Sequence, residues 1–387
     1  MFALTPSTAM ELHRAIEPQS VYVHIPFCRH RCGYCNFTLV ADRDDLIGRY
    51  LDALQIEMQS LVPQSVETIF IGGGTPTHLE EAELVRLFQL IQQKFSLVAG
   101  GEYSIEANPQ DVTRSKTELI AGFGVNRISI GAQSFAAEKL KSLERVHTAA
   151  QVLQAVEYAA EYCSTHSLDL IFAAPNETLV TWQADLQQAI TAGVPHLSTY
   201  GLTIEKGTQF WNRTAQGRLL ETSDDLAAVM YETAIDRLVA AGYEHYEVSN
   251  FAMPGHRSRH NQVYWTGKPF YAFGAGAASL IEGVRRTNHR STTTYIKRMH
   301  QGESAVAEWE QLTPEQSARE RLVFGLRRLE GIVMGEFETE TGHSVEALAG
   351  REIDQFVAAG LLTVDNQNLR LTRRGLLVSD SLWPDLL

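Results

Sequence analysis

Three of the four cysteines fall within eight residues, Cys28, Cys32 and Cys35, in a C-x3-C-x2-C pattern. Arg29, His30 and Arg31 fill the first gap, Gly33 and Tyr34 the second. Thiolates are ligands for zinc or for an iron–sulfur cluster. Three readings are open at this point. The loop could be reactive but incidental. It could hold a structural zinc, which takes four ligands. His30 is then the candidate fourth, although it sits between two of the others and would strain the loop. Or the three thiolates could hold an iron–sulfur cluster and leave one iron without a protein ligand, open for chemistry. Arg29 and Arg31 favour the last reading, because nearby positive charge favours thiolate over thiol. Cys163 stands alone in Gln151–Cys163, where Val152, Leu153, Val156, Ala159 and Ala160 recur at helical spacing. It reads as a small buried apolar side chain.

Six short β-prone segments punctuate the first half: Val21–Pro26, Thr68–Ile71, Tyr103–Glu106, Arg127–Ile130, Leu168–Phe172 and Leu197–Leu202. Between them lie helical faces, one of Leu46, Tyr50, Leu54 and Met58, another of Leu84, Leu87, Leu90 and Ile91, and a third beginning at Leu119, Ile120 and Phe123. Strands alternating with helices argue for βαβ units and a parallel sheet. The spacing predicts an open or incomplete (β/α) barrel of six units, whose active site gathers at the C-terminal ends of the strands. Those ends carry the cysteine loop, Gly72-Gly73-Gly74-Thr75-Pro76, Glu106-Ala107-Asn108-Pro109, Gln133-Ser134-Phe135, Asp169 with Pro175, and Tyr200-Gly201. Any one of these reads as an ordinary loop residue; all six segments together do not. The glycines let a backbone approach a ligand. Glu106 would point into the barrel mouth, where a ligand amine or ribose hydroxyl would partner it. Arg145 suits a ligand carboxylate or a surface ion pair.

The chain has 387 residues and a formal charge of −13. An acidic balance argues against a protein that coats nucleic acid, which needs a basic face to displace counterions. No run of about 18 apolar residues predicts a membrane-spanning helix, and Met1–Gln19 lacks the basic start and apolar stretch of a signal peptide. The expected location is the cytoplasm. A helix is expected over Asp224–Ala241. A loop-rich aromatic region follows over Tyr243–Gly283. Thr313–Leu387 reads as short helices with a β-hairpin around Asn366-Gln367-Asn368. Helix, helix, hairpin is a winged-helix-like layout, but no clear basic recognition helix supports nucleic-acid binding.

Tyr22-Val23-His24-Ile25-Pro26-Phe27-Cys28 through Cys35 resembles the radical S-adenosylmethionine (SAM) superfamily, and within it the coproporphyrinogen III dehydrogenase-like group. Gly72–Thr77, Ser104–Pro109, Arg127–Phe135 and Asp169–Phe172 agree with it, and the resemblance runs to Leu371–Leu377. It implies a [4Fe–4S] cluster on Cys28, Cys32 and Cys35, with SAM chelating the open iron and cleaved reductively to a 5′-deoxyadenosyl radical. By position, Tyr22, Tyr34, Gly73, Gly74, Thr75, Glu106, Gln133, Arg145 and Asp169 resemble the family's SAM-contacting residues.

The decarboxylating dehydrogenases of this group usually carry a fourth cysteine two residues past the third, where this chain has Phe37. Arg259-His260-Asn261-Gln262-Val263-Tyr264-Trp265 resembles the H-N-x-x-Y-W motif of HemW-type heme chaperones. That resemblance implies a protein that binds heme and passes it to acceptor proteins, respiratory membrane proteins among them, without coproporphyrinogen III dehydrogenase activity. It makes His260 the candidate axial ligand. The runner-up is the dehydrogenase itself, or a radical SAM enzyme acting on another tetrapyrrole. A cluster-dependent homodimer is left open. Two departures stand out: Ala278 where many relatives carry His, and Pro175-Asn176-Glu177-Thr178 where Pro-Gly-Gln-Thr is usual. The expected organisation is an N-terminal extension (1–19), an incomplete (β/α)6 radical SAM barrel (20–215), a connecting region with the H-N-x-x-Y-W motif (216–310), and a smaller α+β C-terminal domain (311–387).

Overall fold

The computed structural model describes residues 17–387, so the expected N-terminal extension falls outside the described residues up to residue 16. The chain then alternates strand and helix: β1 (Ser20–Ile25), α1 (Ile47–Met58), β2 (Gln64–Gly73), α2 (Glu81–Lys94), β3 (Phe95–Ala107), α3 (Arg114–Gly122), β4 (Arg127–Gln133), α4 (Ala149–Tyr162), β5 (Thr165–Phe172), α5 (Leu179–Thr191) and β6 (His196–Gly201). All six strands are parallel and lie in sequence order, as the incomplete barrel requires. β3 starts well before the expected Tyr103, at Phe95, and a register irregularity between Val66 and Thr68 of β2 absorbs the extra length.

The sheet does not stop at β6. After α6 (Asp224–Ala240) come β7 (Glu244–Glu247), β8 (Asn250–Ala252), α7 (Arg259–Trp265) and β9 (Tyr271–Phe273). β8 pairs antiparallel with β6 and β7, and β9 pairs parallel with β1, giving the order β9-β1-β2-β3-β4-β5-β6-β8-β7. The stretch expected to be loop-rich, Tyr243–Gly283, is therefore about half strand and helix. Strands of three or four residues are too short to show alternation, and their partners lie far away in the chain.

The two faces of the barrel wall differ in chemistry. Alternation sends Val21, Val23, Ile69, Ile71, Ile105, Ile128, Ile130, Leu168, Leu170 and Leu197 outward into the apolar core beneath the helices. It sends Tyr22, Glu102, Ser104, Glu106, Arg127, Ser129, Ser167, Asp169 and Ser198 to the concave side. A self-filled barrel packs that side with branched apolar residues. A polar one needs hydrogen-bonding partners, because an unpaired buried polar group costs about 1–3 kcal/mol.

Beyond β9, a three-stranded antiparallel sheet forms from β10 (Ala278–Ile281), β11 (Val284–Asn288) and β12 (Val306–Gln311), with α8 (Thr292–His300) between the last two. The C-terminal part holds α9 (Pro314–Leu326), α10 (Met334–Thr341), α11 (Val345–Ala358) and the hairpin β13 (Leu362–Asp365)–β14 (Asn368–Leu371). Asn366 and Gln367 turn the hairpin with φ of +48° and +64°; paired positive φ values are what a two-residue hairpin loop demands. Among the described residues no helix is long and apolar enough to cross a membrane.

Candidate functional site

The cysteine loop leaves β1 at the C-terminal end of the sheet. Its entry and exit are tied together, Phe27–Cys28 pairing in parallel with Val40–Ala41. Cys35 N donates to Cys32 O at 3.0 Å, which turns the chain between the last two thiols. Arg31 donates to the Phe37 and Leu39 carbonyls at 3.1 and 3.2 Å and closes the loop. Cys28, Cys32 and Cys35 are all free thiols and line one cavity of ≈ 460 Å³ at the barrel mouth. Among the described residues no three His, Cys, Asp or Glu side chains converge as they would on a single ion. His30, the candidate fourth zinc ligand, instead faces Glu144 at 3.8 Å.

The expected electrostatic role holds for Arg31, whose charge works against the burial-raised pKa of Cys35 while its guanidinium also donates to carbonyls. Arg29 instead faces Asp111 at 3.7 Å. The cation beside the Cys32 sulfur is Arg145, whose Nη1 lies 3.7 Å from Sγ. It is no surface ion pair: Nη2 donates to Asn108 Oδ1 at 2.5 Å and to Gly131 O at 2.8 Å. Asn108 Nδ2 donates to Thr75 Oγ1 at 3.1 Å, which leaves the Thr75 hydroxyl hydrogen for Cys28 Sγ at 3.2 Å. Arg145 thus reaches two thiols, Cys32 directly and Cys28 through Asn108 and Thr75. Asn108 has no sequence signature for this role, since it acts only through neighbours that the fold supplies. Burial pushes the Cys28 thiol up to about 12 and raises Cys35 as well. A positive centre bound here would reverse that shift, since a coordinated thiol is deprotonated outright.

Gly73 and Gly74 form the wall opposite. Gly73 has φ +118°, and a Cβ there would lie 2.5 Å from the His24 ring; at Gly74 it would meet Phe27 O at 2.7 Å. The His24 ring is itself fixed. Nε2–H donates to Thr38 O at 2.7 Å, so Nδ1 accepts from Tyr22 OH at 2.9 Å. Burial lowers His24 to about 4, which keeps it neutral. Tyr22 therefore supports the wall from beneath and does not line the cavity.

Two carboxyls close the cavity floor. Glu106 accepts from Gly73 N at 2.8 Å. Burial raises its pKa to about 8; the Gly73 hydrogen bond opposes that and the nearby Asp169 adds to it. Asp169 is raised by burial too, and the Ser129 hydroxyl, 3.0 and 3.2 Å from its two oxygens, works against that. Two carboxyls whose pKa values burial raises, set in one cavity, mark a candidate functional site. Tyr34 and Gln133 complete the lining, with Gln133 held at φ +62° where β4 ends.

His260 is elsewhere. It lies on α7, not on a loop, at the opposite end of the barrel, and is 1% exposed. Nδ1 is bonded to Thr68 Oγ1 at 2.8 Å and Nε2 to Tyr264 OH at 2.9 Å. The ring packs on Phe70 and burial lowers its pKa to about 3. The expectation of an axial heme ligand is not met by this arrangement, because both ring nitrogens are hydrogen-bonded and the ring is buried. Of the departures, Asn176 takes φ +61°, a left-handed conformation that Asn tolerates nearly as Gly does, so the turn after β5 is kept. Ala278 is exposed at the start of β10.

A model of the radical SAM superfamily matches residues 22–189, and one of the HemN C-terminal domain matches 312–378. The heme chaperone HemW of Lactococcus lactis is 36% identical over 96% of this chain and 98% of its own length. HemW proteins of Bacillus subtilis and Escherichia coli are each 33% identical, over 94% and 95% of this chain and 98% and 97% of their own. The solved coproporphyrinogen III oxidase HemN of Escherichia coli, a radical SAM enzyme, superposes with a TM-score of 0.84 at 22% identity, covering 95% of this chain and 90% of that one. That likeness shows the fold. The three-thiol cavity in its barrel and the end-to-end similarity at a third identity lead to one conclusion: the chain belongs to the HemW family of radical SAM proteins.

Proposed function

We propose that this protein is a heme chaperone, binding heme and passing it to acceptor proteins in the cytoplasm or at the membrane, and that it carries a [4Fe–4S] cluster with SAM. The observation that carries the reading is the cavity. Cys28, Cys32, Cys35, Tyr34, Gly73, Gly74, Thr75, Glu106, Gln133, Arg145 and Asp169 line one cavity, in a chain whose length-matched relatives bear the name heme chaperone.

The donor set fits a cluster. Three thiols around one cavity without a common focus suit a multi-iron group better than one ion. When bound, such a cluster supplies one electron and an iron open to a chelating ligand. The residues do the rest. Arg145 and the Thr75 hydroxyl steady negative charge on the sulfurs. Glu106 and Asp169 receive the cationic and hydroxyl-bearing parts of SAM. Gly73 and Gly74 let it lie against the backbone.

The test is anaerobic reconstitution followed by incubation with SAM and coproporphyrinogen III. About four irons per chain, lost in Cys32→Ser, with no vinyl product, supports the reading. Decarboxylation above background would return the dehydrogenase to first place.

A further inference from the structure

The cavity changes character from floor to mouth. Its floor is polar, while the rim carries Phe37, Leu39, Tyr200 and Leu202. Phe37 is 67% exposed, so one large ring stands open to solvent at the opening, while Tyr200 lines the cavity with its hydroxyl turned inward toward Ser198 and Asp169. Exposed aromatic surface rimming a pocket marks a place where something apolar docks. His30 lies on the same rim. Its side chain is 53% exposed and makes no hydrogen bond among the described residues. Glu144, 3.8 Å from it, is already paired with Arg213 at 2.7 Å, so removing the imidazole would strand no charge. Arg29 and Arg31 bracket His30 in the chain, and all three are exposed while Cys28 and Cys32 on either side are buried. In a chain of formal charge −13 this cationic loop runs against the prevailing sign.

An apolar rim, an uncommitted imidazole and the exposed guanidinium of Arg29, which meets Asp111 only at 3.7 Å, match a planar iron tetrapyrrole with carboxylate side chains. We propose that heme lies across the mouth of the cavity, its face on Phe37, its propionates toward Arg29, with His30 as an axial ligand. The inference rests on the heme-chaperone reading above and names the site of that cargo. A cavity of ≈ 460 Å³ is of the size one cofactor-like ligand fills, so heme does not share it with SAM and sits outside, over the rim. Binding forms one Fe–N bond from a lone pair of the neutral imidazole and releases a solvent ligand, with no change in oxidation state. His260 cannot serve in this arrangement, as both of its nitrogens are bonded inside the barrel.

The test is an anaerobic hemin titration of the reconstituted, SAM-bound protein, read by ferric low-spin EPR and by difference absorbance. Wild type, His30→Ala, Phe37→Ser and His260→Ala are compared. Saturable wild-type binding, weakened tenfold or more in His30→Ala with loss of the low-spin signal, and regained on adding imidazole, is the expected result. Phe37→Ser should weaken binding while keeping the wild-type low-spin signature, which guards against a His30 variant that fails to hold its cluster. His30→Ala and Phe37→Ser both binding hemin as wild type does would overturn the inference and leave the chaperone reading standing. No saturable binding by wild type would overturn both.

Discussion

Glu106 shows how one residue can be poised for a ligand. Its carboxyl is deep in the barrel, bonded to Gly73 N at 2.8 Å, and pushed by burial to about 8. In the unfolded chain a glutamate titrates near about 4.3. The folded state therefore binds the extra proton between those values, and Glu106 costs stability as pH rises from about 4 to 8. A cationic ligand group reverses the balance by favouring the ionised form. SAM should accordingly bind more tightly as pH rises toward 8 and level off above it. Calorimetric titration from pH 6 to 9 checks this; Glu106→Gln should bind weakly with a flatter pH profile, and an unchanged profile would show that another group titrates. That the cysteines, the glycines, Glu106 and Asp169 share one cavity was legible, because each lies at or near the C-terminal end of a strand; Arg145, beyond the short helix Ala137–Ser142, was open to a surface ion pair as well. Asn108 was not legible, since its importance comes from standing between Arg145 and Thr75, an arrangement made only by folding. Arg31 acts on Cys35 as expected, whereas Arg29 turns to Asp111, because adjacency in sequence is not always adjacency in space.

At the scale of elements, α7 acts as the barrel's floor. Ser258 caps it, and Glu102 accepts from the backbone N–H groups of Arg259 and His260, both at 3.0 Å, while facing Arg127 at 3.8 Å. His260 then projects inward to Thr68 and stacks against Phe70. The H-N-x-x-Y-W segment is thus built into the packing. His260→Ala leaves two buried hydroxyls without their ring partner and opens a void, a loss of about 2–4 kcal/mol. Urea denaturation should show a lower midpoint with an unchanged slope, while hemin affinity stays within about twofold of wild type. A normal midpoint with abolished hemin binding would restore His260 as a ligand. The six main strands were legible because each is an apolar run ending at a polar or glycine-rich loop. β7, β8 and β9 were not, since three or four residues carry no readable period and long-range pairing decides them.

Across the whole molecule, the sheet joins segments far apart in sequence. β9 covers the free edge of β1 through Val21–Tyr271 and Val23–Phe273, and β8 covers β6. Glu57 of α1 accepts from Gly274 N at 2.9 Å, Asn288 Nδ2 at 2.6 Å and Tyr295 OH at 2.6 Å, fastening the β9–β10 and α8 regions to the first helix of the barrel. A chain ending at residue 215 would expose both sheet edges, and unpaired edges template aggregation. Size-exclusion chromatography should find that fragment aggregated or unfolded; a monodisperse folded fragment would show that the barrel closes without its later strands. A heme chaperone must both hold its heme and give it up. Wild-type protein, anaerobically reconstituted and loaded with one equivalent of hemin, should be mixed with excess apomyoglobin and followed through the globin Soret band. One saturable hemin per chain that moves completely to the globin is the predicted result, and failure to bind hemin in a saturable way would contradict the account.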